Sequence, residues 1–171
     1  IRDKSQAFAT LSVVFAITTA IVGESTHLML PLVVMTTVGS VYYYHRFNWQ
    51  PLLIITIILA YTSFFLWMVG NPIMGHPMKL IATQNYDVIY FFGIGACYSI
   101  VLLFRMKDSS SDDFLIGVTF VNGVLFTIML IFVVLGFFSK NYVALFSVIT
   151  IFCLAYSTIL HARSDWNFGS A

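Results

Sequence analysis

HRFNWQPLLIITIILAYTSFFLWMVGNPIMGHPMK, residues 45–79, is the stretch whose reading decides the fold. It opens on a polar and aromatic lip, His45, Arg46, Asn48 and Trp49, then runs from 51 to 69 without a formal charge. Trp67 stands near the end of that run, and Asn71, Pro72, Gly75 and Pro77 punctuate the residues beyond it. About 20 apolar residues at roughly 1.5 Å rise cross a hydrocarbon layer of ~30 Å, and Trp and Tyr favour the headgroup level. A membrane span bounded by its own interface anchors is therefore expected here.

Composition extends that reading to the whole chain. A sequence that is 60% hydrophobic and 9% charged, with a mean hydropathy of +0.93, lacks the charge needed to cover a soluble domain. A formal net charge of +1 provides no basic face for phosphates, which argues against nucleic acid as a partner and leaves the lipid bilayer. Cys97 and Cys153 lie inside apolar runs with no metal or redox spacing, so both read as small hydrophobes. A disulfide would require their helices to meet at one depth. No cofactor is implied. The chain opens on Ile1 rather than Met, and no signal peptide precedes the first apolar run. A processed N-terminus or a portion of a larger protein is expected.

Six apolar runs succeed one another, at about 7–22, 28–44, 51–69, 88–104, 114–138 and 142–160. Together they predict an all-α membrane protein, a single bundle of six transmembrane helices over residues 1–171. Pro31 falls in the expected first turn of the second span, where a missing N–H costs least. Ser25 or Thr26 is placed to cap that helix. Residues 78–86 mix Lys79, Gln84 and Asn85 with Leu80 and Ile81, which predicts a short interfacial helix lying on the membrane. With six spans, Arg2, Lys4, Arg46, Arg105, Lys107 and Arg163 share one side, against Lys79 and Lys140 on the other. The positive-inside rule then puts both termini in the cytoplasm.

Basic breaks recur after every second span: His45-Arg46-Phe47-Asn48-Trp49, Arg105-Met106-Lys107, and His161-Ala162-Arg163-Ser164-Asp165-Trp166. Stacked helical hairpins give this rhythm, and so does any six-span chain that obeys positive-inside. Arg46, Trp49, Trp67 and the hairpin rhythm across residues 23–138 resemble the uncharacterised many-helix "predicted membrane protein" families of bacteria, which string many such helices together. The resemblance implies a bacterial cytoplasmic membrane and a larger parent. It brings no activity with it.

Chemistry-bearing residues are sparse. Met74-Gly75-His76-Pro77-Met78 presents thioethers and an imidazole, the soft set that favours Cu(I), and Glu24, His27 and Met29 are placed to complete a site on the same side. Seven methionines in an apolar chain make that pattern unsurprising, and a structural loop is the preferred reading. Each Asp, Glu, Lys, Arg and His falls at a span end or in a loop, which argues against a proton-driven pump. No HxxxH, HExxH or paired-aspartate spacing points to an enzyme. The nine Tyr and seventeen Phe are assigned to lipid contact and interface anchoring rather than to a pigment or quinone pocket.

Two features remain inside the spans. Gly93, Gly95 and Ser99 in the fourth, with Thr119 and Gly123 in the fifth, form small-residue faces suited to helix packing. Asn122 is the one strongly polar residue of the fifth span, and an interhelical hydrogen bond is its expected role. The expected function is non-catalytic: an integral subunit or module that packs with partner helices. The alternative is a small transporter or channel with a site between its helices. A subunit would leave the Gly93, Gly95 and Ser99 face for a partner, whereas a transporter would line a midplane cavity with Asn122, Thr119 and Tyr98.

Overall fold

The computed structural model describes residues 2–22, 26–69, 84–105, 112–137 and 142–163. These form six helices: α1 Arg2–Val22, α2 Thr26–Phe47, α3 Gln50–Met68, α4 Gln84–Arg105, α5 Asp112–Phe137 and α6 Tyr142–Arg163. Four of them, α1, α3, α5 and α6, are long and apolar enough to cross a membrane. The apolar part of α4 is shorter, Val88–Val101. Helix α2 carries Thr36, Thr37, Gly39 and Ser40 in its middle. Its position makes that tolerable, because α2 packs against α1, α3 and α4, and Thr37 and Ser40 are buried between helices.

Local chemistry sets the boundaries. Asn48 adopts a left-handed conformation (φ 59°), and its N–H donates to the Tyr44 carbonyl at 2.8 Å, closing α2. Asn tolerates that region better than other non-glycine residues. Trp49 comes next as the N-cap of α3, and Pro51 falls in the first turn, where no intrahelical N–H is needed. The Trp49 ring stacks on Tyr43 and Phe47, with centroids 5.4 and 5.1 Å away, and is buried. The interface lip read from the sequence is thus one folded unit joining α2 to α3.

Two expectations are corrected. Pro31 lies inside α2, which begins at Thr26, so it stands in the second turn and removes a hydrogen bond there. Residues 84–86 belong to α4 rather than to a separate interfacial helix, since Gln84 and Asn85 continue the same helical backbone into Val88. Residues 78–83 lie outside the described residues, as does Ser25.

The core is aromatic where α3, α4 and α5 meet. Phe64 of α3 stacks on Phe91 of α4 at 5.0 Å, and Phe91 stacks on Phe126 of α5 at 4.4 Å with an interplanar angle of 4°. Tyr61 meets Phe91 edge to face at 6.4 Å. Such pairs add to plain area burial and hold helix spacing. Hydroxyls inside the helices are largely satisfied locally: Thr37, Thr56, Ser63 and Ser99 each donate to the carbonyl four residues back, at 2.7–2.9 Å. In contrast to the other five, α6 touches the bundle lightly, and none of its apolar window is buried.

Candidate functional site

One polar hub lies among the apolar helices, and Asn122 of α5 is its centre. The Tyr61 hydroxyl of α3 donates to Asn122 Oδ1 at 2.6 Å. Asn122 Nδ2 donates to the Gly95 carbonyl at 3.2 Å and to Ser99 Oγ at 3.3 Å, both on α4. The carbonyl of Gly95 settles the orientation of the amide, because the opposite flip would set two oxygens against each other. From α6, the Tyr156 hydroxyl donates to the Ser99 carbonyl at 2.7 Å. Four helices therefore converge on one network, and Asn122 itself is 3% exposed.

Each partner is positioned by its own element. Gly95 has no side chain because Phe126 lies directly over it: a Cβ there would come within 2.5–2.7 Å of the ring. That close approach lets the Asn122 side chain reach an α4 carbonyl already engaged in its own helix. Ser99 stands one turn further along, where its hydroxyl donates back to Gly95 at 2.9 Å and leaves its lone pairs for Asn122. Thr119, one turn before Asn122 on α5, lines the same cavity as Tyr156.

Beside this hub is a cavity of about 320 Å³ between α4, α5 and α6. Asn122, Thr119, Ser99 and Tyr156 provide its polar groups, and Phe92, Phe126, Val148, Ile149 and Phe152 its apolar walls. Gly123, Thr127, Val148 and Phe152 are exposed, so the cavity opens sideways between α5 and α6. A Cβ on Gly123 would meet nothing within 4 Å, which places that glycine on the open side. Its size is at the lower end of small-molecule sites, which combine apolar walls with a few fixed polar groups. Among the described residues, no charged side chain lines it. Shallow depressions on α6 and α5 are each lined by one helix alone and enclose no site.

The residues singled out from sequence divide sharply. Gly95, Ser99, Thr119, Asn122 and Gly123 all line the cavity. Gly93 instead faces Val34 of α2, whose side chain a Cβ at Gly93 would meet at 3.9 Å. Tyr98 is turned away from the cavity: its hydroxyl lies beside Thr37 and Ser40 on α2, and its ring is fully buried. The face containing Gly95 and Ser99 is covered by α5 and reached by α6, so it does not stand open for a partner. Sequence reasoning misses Tyr61, Phe126 and Tyr156. A tyrosine in the middle of a span, rather than near its end, is the available signal for Tyr61. Cys97 and Cys153 are both free, and Cys153 lines the cavity.

The copper-type pattern at Met74, His76 and Met78 lies outside the described residues, together with Glu24. Met29 is fully buried in the core of α2. Among the described residues, no three His, Cys, Asp or Glu side chains come together to hold a metal ion. Comparison of the chain with protein-family models, with curated proteins and with solved structures finds no match, so the candidate site rests on its own geometry.

Proposed function

We propose that this chain is an integral membrane module that crosses the bilayer six times, with both termini cytoplasmic, and holds a small ligand between α4, α5 and α6. Six basic residues on one side against two on the other support the orientation. The observation that carries the binding reading is the cavity with Asn122 at its polar end, because apolar walls combined with a few fixed polar groups are the make-up of small-molecule sites. The site is suited to binding or carrying rather than to ion conduction, since its lining is mostly apolar and has no charged group.

Native mass spectrometry after mild-detergent extraction tests this directly. A small molecule should accompany the protein and be lost from Gly123→Leu, a substitution that places a bulky side chain in open space at the mouth of the cavity. Unliganded protein in both cases would overturn the reading. A second reading, a structural subunit whose α6 packs on partner helices, is favoured by the complete lack of burial along the α6 window. A stoichiometric protein partner with no small molecule would put that reading in the place of the first.

A further inference from the structure

We infer that the cavity selects a neutral, largely apolar molecule ending in a single hydroxyl, a lipid-soluble alcohol, taken up sideways from the bilayer. This rests on the proposed binding function and names the chemistry of the ligand. Three observations lead to it. The first is charge. No Asp, Glu, Lys, Arg or His is among the described residues that line it, so a carboxylate or ammonium group entering the cavity would be desolvated with no counter-ion.

The second is hydrogen-bonding capacity. Asn122 accepts a short bond from Tyr61 at 2.6 Å, while its two donor contacts are long, 3.2 and 3.3 Å. Both lie at or beyond the far end of the usual N–H···O range. The Gly95 carbonyl that receives one of them also accepts from the Ser99 hydroxyl at 2.9 Å, on top of its place in the α4 ladder. Both Asn122 N–H groups are thus engaged but at long range, so a ligand oxygen that comes closer to Nδ2 would take the place of one of these partners. Thr119 lies three residues before Asn122 on the same helix face and lines the cavity together with Tyr156. A hydroxyl can accept from Asn122 and donate to Thr119 at once. An ether or ketone can only accept.

The third is access. The wall between α5 and α6 is formed by exposed Gly123, Thr127, Val148 and Phe152, with no side chain closing it at Gly123. In a spanning bundle that opening faces hydrocarbon. A ligand already dissolved in the bilayer enters hydroxyl first, leaving its apolar body against Phe92, Phe126 and Phe152.

The test uses the full chain in nanodiscs and a diazirine-bearing ten-carbon alcohol as photolabel, with labelled residues mapped by peptide mass spectrometry. Decanol, decane, decanoate and decylamine are the competitors, compared at equal mole fraction in the lipid. Labelling should concentrate on α4, α5 and α6 residues around Asn122, and decanol should compete about tenfold better than decane, the ratio given by roughly one good hydrogen bond. Asn122→Leu should remove that ratio. Thr119→Val leaves the Tyr61–Asn122–Gly95 bonds in place and should narrow the ratio roughly threefold, which keeps the test open where the larger change perturbs folding. Equal competition by decane would overturn the alcohol assignment while leaving the site, as would stronger competition by decanoate or decylamine. Labelling spread over all lipid-facing helices and unchanged by Gly123→Leu would overturn the binding reading itself.

Discussion

Helices α3 and α6 have equally hydrophobic windows, each long and apolar enough to cross a membrane, yet half of the α3 window is buried in protein and none of the α6 window is. In water such a contrast would be paradoxical, since apolar surface is driven inward wherever it occurs. In a bilayer the lipid tails are as apolar as Leu, and hydropathy decides insertion without deciding packing. What distinguishes α3 is shape and polarity. Thr56, Ala60, Tyr61, Ser63 and Phe64 are all buried, alternating small residues with rings that reach α4 and α5. Along α6 the only long-range hydrogen bonding among the described residues is that of Tyr156.

One substitution made in both helices would break or sharpen this contrast most strongly. Ala60 is fully buried, so Ala60→Leu should destabilise the bundle by about 1–3 kcal/mol through overpacking. Ala144 on α6 is exposed, and Ala144→Leu should stay within about 0.5 kcal/mol. Reversible unfolding in mixed detergent micelles measures both, and equal costs would mean that α6 is packed as tightly as α3. Next in size is Asn122→Ala, which strands the buried Tyr61 hydroxyl and should cost about 1–3 kcal/mol. A Tyr61→Phe/Asn122→Ala double variant should cost less than the sum of the two single changes, because the stranded group is then gone. Strict additivity would show that the two side chains do not interact.

The smallest effect belongs to α6. Tyr156→Phe removes a single interhelical bond, and such bonds average about 0.6 kcal/mol in membranes. Its expected signature is faster modification of Cys153 by a membrane-permeant maleimide, since that thiol lies on the cavity side of α6. An unchanged rate would show that the Tyr156–Ser99 bond does not hold α6 in place.

Much of the candidate site can be named from individual residues, though not assembled. Asn122 stands out as an amide inside an apolar run, and Gly95, Ser99, Thr119 and Gly123 as small residues near mid-span. Tyr61 and Tyr156 do not stand out, because tyrosine is so often an interface anchor. In α3 it instead carries its hydroxyl into the core, and in α6 it stands half-buried with its hydroxyl on an α4 carbonyl. Phe126 cannot be found at all from sequence: among seventeen phenylalanines, nothing local marks the one whose ring covers Gly95. Tyr98 is expected at the cavity and lies elsewhere for a related reason, as its side of α4 depends on which neighbour is α2 and which is α5.

By itself, then, the sequence determined that this chain is helical, that its apolar runs are suited to lipid, and where polar side chains interrupt them. Those properties depend on transfer from water, which each residue carries with it into any fold. The tertiary structure decided which faces meet. It turned Gly93 and Tyr98 toward α2, drew Tyr61, Ser99, Asn122 and Tyr156 into one network, and left a cavity beside it where α6 stands off. Those choices turn on van der Waals fit and hydrogen-bond geometry between helices, differences to which hydropathy is blind because lipid and protein interiors are nearly equivalent solvents for an apolar side chain.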